Sequence, residues 1–303
     1  MKKAASSIVL AKAGELRALL QNAIARLEQC ETPSAPLAAE LLLMHVLRRD
    51  RAWCYAHPEY ELTTGEAATY AELIESRARG VPTQYLTGSQ EFWGLEFEVG
   101  PEVLIPRPET EHIIEVALSR LETRRADPLR IADIGTGSGC IAIALASEFR
   151  HAEIVATDIS APALEYARRN AARHAFSHRI DLRQADILRS CANAGVQAPR
   201  AFDLLVSNPP YVGREDAPQL PREVRDHEPP EALFAGDRGL DFYPQLIREA
   251  AQALRPGAPI VFEIGYNAAN FVRSLLSLPP WSHVSVTRDL AGIERVVSAR
   301  LSA

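Results

Sequence analysis

From about residue 107 onward, short apolar runs of strand length alternate with helical patterns, and few folds satisfy that alternation. Strand-like runs lie at 130–134, 153–157, 179–183, 203–206 and 259–264, with helical patterns between most of them, as at 161–175 and 241–254. A further helix is predicted over 109–122. A helix between successive strands lets each return parallel to the last, so the fold class is α/β: a parallel sheet covered by helices on both faces. The last two runs, 283–288 and 294–301, leave no room for a helix between them. They are predicted to pair as an antiparallel hairpin at the sheet edge.

The first 88 residues read differently, as a small helical bundle. Leu16, Leu19, Leu20, Ile24 and Leu27 recur at helical spacing. A second apolar segment holds Leu41, Leu42, Met44, His45 and Val46, with His45 read as a core histidine. A third helix is capped by Thr63 or Thr64 and ends near Gly80. Between the two regions, Phe92, Trp93, Leu95, Phe97, Val99, Val103 and Ile105 are interleaved with glycines and glutamates. This reads as a β-hairpin turning around Gly100-Pro101, with Phe92 and Trp93 filling a junction. The expected division is a helical domain over 1–88, a hairpin linker over 89–106 and the α/β domain over 107–303.

Composition excludes several classes. A net charge of −6 argues against extended binding to nucleic acid, which calls for a basic surface. The 4 cysteines (Cys30, Cys54, Cys140 and Cys191) are scattered without metal or disulfide spacing, as expected of reduced cytoplasmic thiols, with no metal bound. Cys140 is read as packing. No apolar run is long enough to span a bilayer, so no membrane partner is expected. The start, Met1-Lys2-Lys3 and an apolar stretch over 4–11, superficially resembles a secretory signal. It holds two serines and runs into Lys12 and Glu15 on a helical pattern, so it is not read as a leader.

Two motifs carry chemistry. The first is the run from Arg130 to Gly139, a buried strand followed by Gly135, Thr136, Gly137, Ser138 and Gly139, with Asp133 leading and a helical pattern from Cys140. Glycines let the chain turn sharply and let a ligand approach the main chain. Asp158 ends the second strand, where a carboxylate accepts both hydrogen bonds of a ribose diol. A nicotinamide dinucleotide usually sits on a G-x-G-x-x-G turn. The spacing here is D-x-G-x-G-x-G, the form common for S-adenosylmethionine, which carries no phosphate. A plain structural turn is the alternative. Asp186 and Ile187, after the third strand, are candidates for the adenine amino group and ring.

The second motif is Asn208-Pro209-Pro210-Tyr211, leaving the carboxyl end of the fourth strand, where open α/β sheets place their ligands. The prolines fix the backbone and remove two N–H donors. An amide or aryl-amine nitrogen is a poor nucleophile because its lone pair is delocalised. The Asn208 side-chain oxygen and the Pro209 carbonyl would hold its hydrogens, with Tyr211 against the planar group. Catalysis of that kind is positioning and electrostatics.

The assembled text resembles the HemK-type release-factor glutamine methyltransferases. The resemblance rests on Arg79-Gly-Val-Pro, Tyr85-Leu-Thr-Gly, Glu91-Phe-Trp-Gly-Leu, Val103-Leu-Ile-Pro-Arg-Pro-Glu-Thr-Glu111, the glycine loop, Asn208–Tyr211, Arg225-Asp-His-Glu-Pro, Ala232-Leu-Phe-Ala-Gly, Gly239-Leu-Asp-Phe-Tyr and Glu263-Ile-Gly-Tyr266. It covers essentially the whole chain. It implies a seven-stranded, Rossmann-like methyltransferase domain joined by a hairpin to a helical substrate-recognition domain. It further implies N5-methylation of the glutamine in the Gly-Gly-Gln loop of peptide chain release factors, with S-adenosylhomocysteine as product. Gly135 through Gly139 and Asp158 would hold the cofactor, Asn208 through Tyr211 the glutamine, and the segment 105–111 would lie near the mouth of the site. The chain has Asn267-Ala268 where the family often has glutamine, and no tryptophan beside Asp186-Ile187.

A sister family that methylates a ribosomal large-subunit protein shares the hairpin text and Asn-Pro-Pro-Tyr. Its corresponding segment has serine where this chain has Pro108-Glu109-Thr110-Glu111. N-methylation of a flipped nucleic-acid base is a further enzymatic alternative; a non-catalytic cofactor-binding protein is another, and a nicotinamide dehydrogenase, which would need a different glycine spacing and a hydride-relay residue, is the third. Residues 212–239, rich in proline, read as a lid over the protein substrate. One chain is expected to suffice, as a monomer.

Overall fold

The computed structural model describes residues 14–188 and 201–302. The signal-like stretch at 4–11 and Cys191 lie outside the described residues. The chain divides into two units. One comprises Met1–Gly88 and Pro221–His227; the other comprises Ser89–Leu220 and Glu228–Ala303.

The first unit contains α1 (Leu16–Gln29), α2 (Ala35–Leu47), α3 (Arg51–Ala56), α4 (Thr64–Ala78) and α5 (Thr83–Thr87), and also the helix Arg222–His227, α9 in chain order. Leu19, Ala23 and Leu27 of α1 pack with Leu42 and Leu43 of α2 and with Tyr70 and Ile74 of α4. Thr63 starts α4 with a capping box: its hydroxyl accepts from the Glu66 amide, and the Glu66 carboxylate accepts from the Thr63 amide. His45 is exposed, which corrects the reading of a core histidine. The buried face of α2 runs through Ala35, Ala38, Ala39, Leu42 and Leu43, and His45 falls off that stripe. Arg77, only 4% exposed, pairs with Glu223 of α9 at 2.5 Å and donates to the Val81 carbonyl at 3.2 Å.

The second unit opens with a hairpin of β1 (Ser89–Phe92) and β2 (Leu95–Glu98). Its turn is Trp93-Gly94, with φ of 54° and 68°, not the expected Gly100-Pro101. A two-residue turn matches the twist of the strands when both residues are left-handed, which suits glycine and not tryptophan. Trp93 is held there by its amide on Glu111 at 2.7 Å and its indole N–H on Glu148 at 2.9 Å. Gly100 serves close packing instead, since a Cβ there would lie 2.0 Å from the Tyr166 hydroxyl oxygen.

A seven-stranded sheet follows, in the order β5-β4-β3-β6-β7-β9-β8. Strands β3 (Arg130–Ile134), β4 (Glu153–Asp158), β5 (Ile180–Gln184), β6 (Leu204–Ser207) and β7 (Pro259–Glu263) are parallel. Of the last hairpin, β9 (Glu294–Leu301) joins β7 antiparallel and leaves β8 (Trp281–Arg288) at the edge. Helices α6 (Glu111–Arg120), α7 (Cys140–Glu148) and α8 (Ala161–Arg173) supply one core. Helices α11 (Phe242–Ala253) and α12 (Ala269–Leu276) supply another, so β6 and β7 are buried along their whole length. The expected helix at 109–122 begins as a single 3-10 turn, Pro108–Thr110, before α6. Residues 212–239 carry a 3-10 turn at Arg214–Gln219, then α9 and α10 (Pro230–Leu233). From β3 the chain moves outward to β4, while β6 lies on its other side, so a crevice opens at the carboxyl ends of β3 and β6. Among the described residues, no helix is long and apolar enough to cross a membrane.

Candidate active site

The glycine turn occupies this crevice. Gly135, Gly137 and Gly139 have φ of 71°, 55° and 83°, a conformation that costs little only without a Cβ. The amides of Gly135 and Thr136 donate to the Thr157 carbonyl at 2.8 and 2.9 Å, fixing the turn to the end of β4. There Asp158 accepts from the amides of Gly137 at 2.8 Å and Ser160 at 2.9 Å, so its carboxylate has a set orientation.

Beneath the turn, Asp133 is completely buried and accepts from the Thr136 hydroxyl at 2.6 Å. Burial pushes its pKa up to about 7, with the Thr136 bond opposing and the nearby Asp158 charge adding to the rise. The Ser138 carbonyl accepts from Asn170 of α8 at 2.9 Å. Asn170 also donates to the Glu98 carbonyl at 3.0 Å and accepts from the Glu98 amide at 2.7 Å, tying hairpin, turn and helix together. A Cβ on Gly139 would stand 3.2 Å from Ala167, so this glycine admits α8. Asp133, Thr136, Ser138 and Gly139 thus shape the turn from within. Gly135, Gly137, Asp158, Asp186, Ile187, Asn208 and Pro210 line a cavity of about 350 Å³.

The lining of that cavity selects its ligand. Glu102, Asp158, Asp186 and Glu231 contribute carboxylates, and none of the described lining residues is basic. Burial raises the pKa of Asp158, and the charge of Glu231 adds to the rise. The Gly137 amide, which a phosphate would need, is already given to Asp158. A pyrophosphate is therefore disfavoured, and a cationic ligand is favoured. S-adenosylmethionine, with a sulfonium and an ammonium, fits this donor set. Ile187 is buried with φ of 57°, a rare conformation for a β-branched residue. It is held there by Glu249, which accepts from the Leu188 amide at 3.1 Å, while Asp186 accepts from Gln245 at 3.5 Å.

Across the crevice, the Asn208 side-chain N–H donates to Thr110 at 3.0 Å. The Thr110 hydroxyl donates to Glu263 at 2.7 Å, and the Tyr211 hydroxyl donates to the other Glu263 oxygen at 2.9 Å. The Asn208 Oδ1 is buried with no partner among the described residues. The Glu263 charge, then burial, hold the Tyr211 phenol far above its ordinary pKa, so it stays protonated. Pro209 is buried, and Tyr211 is approached closely by glycines: a Cβ on Gly239 would lie 2.2 Å from its carbonyl oxygen. Arg107 pairs with the buried Glu228, and Val103 and Leu104, just before the 105–111 segment, line the cavity. Thr110 and Glu263 were not assigned roles from sequence. The available signal was Glu263 itself, a carboxylate closing an otherwise apolar buried strand. Among the described residues, no cluster is arranged to hold a metal ion.

The chain matches the PrmC N-terminal domain over residues 18–88 and the methyltransferase small domain over 114–222. It is 44% identical to the release factor glutamine methyltransferase of Koribacter versatilis over 94% of this chain and 98% of that one. It is 40% identical to the release factor glutamine methyltransferase of Nitratidesulfovibrio vulgaris over 94% and 95% of the two chains. The fold is also that of the N-terminal domain of human METTL16 in complex with SAH, with a TM-score of 0.51 at 18% identity over 70% of this chain and 77% of that one.

Proposed function

The chain belongs to the release factor glutamine methyltransferase family, and we propose that it methylates N5 of the glutamine in the Gly-Gly-Gln motif of peptide chain release factors. S-adenosylmethionine supplies the electrophilic methyl group, and S-adenosylhomocysteine is the product. Gly135, Gly137 and Asp158 contact the cofactor directly, with Asp186 and Ile187 at the adenine. Asp133, Thr136, Ser138 and Gly139 hold the turn that receives it.

One observation carries the reading of the target atom: the buried, unpartnered Oδ1 of Asn208 on the wall of the cavity. A buried acceptor without a partner is costly unless a ligand supplies a donor. A primary amide brings two N–H donors on one nitrogen. Asn208 Oδ1 and the Pro209 carbonyl accept them, which fixes the nitrogen and leaves its lone pair free for in-line transfer. Tyr211, kept neutral, stands against the planar amide. The helical unit recognises the protein substrate, and residues 212–239 close over it. The enzyme works in the cytoplasm as a single chain.

The test is methyl transfer from labelled S-adenosylmethionine to a purified release factor, to a ribosomal large-subunit protein, and to a release factor with its glutamine changed to alanine. Label on the first alone is expected. Label on the ribosomal protein alone would move the target to the sister family, and label on neither would reopen base methylation. Asn208→Ala is expected to bind cofactor normally and to lose transfer by about a hundredfold or more. Equal loss of both would end the role given to Asn208.

A further inference from the structure

We propose that Glu263, acting through Thr110, is a positioning residue that decides which end of the Asn208 amide faces the reacting nitrogen. The inference rests on the acceptor role given to Asn208 above and extends it to residues that do not touch the substrate.

A primary amide on a side chain is ambiguous by a half-turn. Rotation of the Asn208 amide exchanges an oxygen for an NH2 at almost the same position. With the oxygen toward the cavity, the substrate nitrogen meets an acceptor. With the NH2 toward it, donor faces donor and the substrate amide is rejected. The backbone, the prolines and the cavity shape do not distinguish the two. The hydrogen-bond chain does.

Glu263 is 1% exposed, and its two oxygens are engaged by two hydroxyls, Thr110 at 2.7 Å and Tyr211 at 2.9 Å. An ionised carboxylate has no hydrogen to give, so both hydroxyls point theirs at it. Thr110 has a single hydroxyl hydrogen. Once that is committed to Glu263, the same oxygen faces Asn208 at 3.0 Å only as an acceptor. Asn208 must then turn Nδ2 toward Thr110. The Oδ1 is left facing the other way, and there it is buried without a partner among the described residues. The polarity of the chain is set at its far end, by a charge. Burial, with Glu109 adding, raises the Glu263 pKa above the ordinary carboxylate value, while the hydrogen bonds from Thr110 and Tyr211 and then the charge of Arg295 hold the ionised form against that rise. Thr110 comes from the turn before α6 and Glu263 from the end of β7, separated by 153 positions, so the fold brings the two ends of the device together.

Chemically, the two ways to break the chain differ. Thr110→Val keeps the side-chain shape and removes the hydroxyl. Glu263→Gln keeps the shape and removes the charge, offering an NH2 that lets Thr110 reverse. Both are expected to lower kcat on a release factor by about tenfold to a hundredfold, the rate equivalent of one unmet hydrogen bond in a closed site. Affinity for S-adenosylhomocysteine should not change, because neither residue lines the cavity. Thr110→Ser, which keeps the hydroxyl, should recover most of the rate lost in Thr110→Val. Glu263→Gln added to Thr110→Val should cost little more, because the link is already cut.

The assay uses the full chain, with rates normalised to cofactor sites titrated with S-adenosylhomocysteine, so that partial unfolding does not imitate a lost rate. If Glu263→Gln proves unstable, Thr110→Val against Thr110→Ser decides alone. The proposal is overturned if Thr110→Val keeps wild-type kcat while Asn208→Ala loses it, or if Thr110→Ser is as slow as Thr110→Val. If Asn208→Ala itself transfers methyl normally, the acceptor reading of Asn208 has failed first, and the two failures are distinguished by that one variant.

Discussion

Replacing Asn170 with alanine removes three hydrogen bonds: from the Glu98 amide at 2.7 Å, to the Glu98 carbonyl at 3.0 Å and to the Ser138 carbonyl at 2.9 Å. Asn170 is completely buried in the last turn of α8, and water reaches the Ser138 bond least. At about 1 kcal/mol for each group left unmet, the loss is about 3 kcal/mol. For a unit of this size that is a fall in Tm of about 6–12 °C. Because the Ser138 carbonyl belongs to the glycine turn, affinity for S-adenosylhomocysteine should fall as well. Thermal unfolding followed by circular dichroism gives the first quantity, and calorimetric titration the second. Asn170→Asp should do at least as much damage, since a carboxylate retains the acceptor for the Glu98 amide but faces two carbonyls it cannot serve. A loss below about 1 kcal/mol in Asn170→Ala would refute the reasoning, since that is less than the cost of one buried group left unpaired. A large loss with unchanged cofactor affinity would show that Asn170 secures the hairpin and not the turn.

Asp158→Asn retains the shape but sets an NH2 against one of two amide donors and removes a cavity charge, so affinity for S-adenosylhomocysteine should fall about tenfold to a hundredfold with folding intact. Unchanged binding in a titration would remove Asp158 from the cofactor site. Asp133 gives a pH signature. Its folded pKa of about 7 lies above the ordinary carboxyl value near 4, so between those values the folded chain holds a proton that the unfolded chain has lost. Stability should therefore fall as pH rises through that window, by about 4 kcal/mol at most. Asp133→Asn should flatten that fall. Glu263 and Asp158 shift in the same direction, so the comparison is between the two unfolding curves, and parallel curves would sink the assignment.

The sheet was legible because its strands obey simple rules. The runs at 130–134 and 294–301 coincide with β3 and β9, and the glycine turn follows β3 directly. The helix beginning at Cys140 was readable because seven of its nine residues are apolar and buried, an unbroken hydrophobic surface. The hairpin turn was not, because tryptophan in a left-handed conformation is held by bonds to Glu111 and Glu148, partners 18 and 55 positions away. The helices α3 and α5, of 6 and 5 residues, are too short for periodicity to show. In the site, the motifs stood out where the main chain does the work. Thr110 and Glu263 lie inside text that carries the family resemblance, but their role did not show there, since it is a contact between elements 153 positions apart.

The seven residues Pro221–His227 belong to the first unit although they follow the Asn-Pro-Pro-Tyr motif in the chain. On the ribosome, this gives the two units an unusual schedule. The first 88 residues emerge early, yet the guanidinium of Arg77, buried in the finished fold, meets its counter-ion only when Glu223 is made. By then β3, β4, β5 and β6 have been synthesised. The amino-terminal unit is therefore the first begun and among the last finished. A fragment cut at residue 88 would be a unit missing one of its own pieces, so separating the two parts by expression requires carrying the 221–227 segment along.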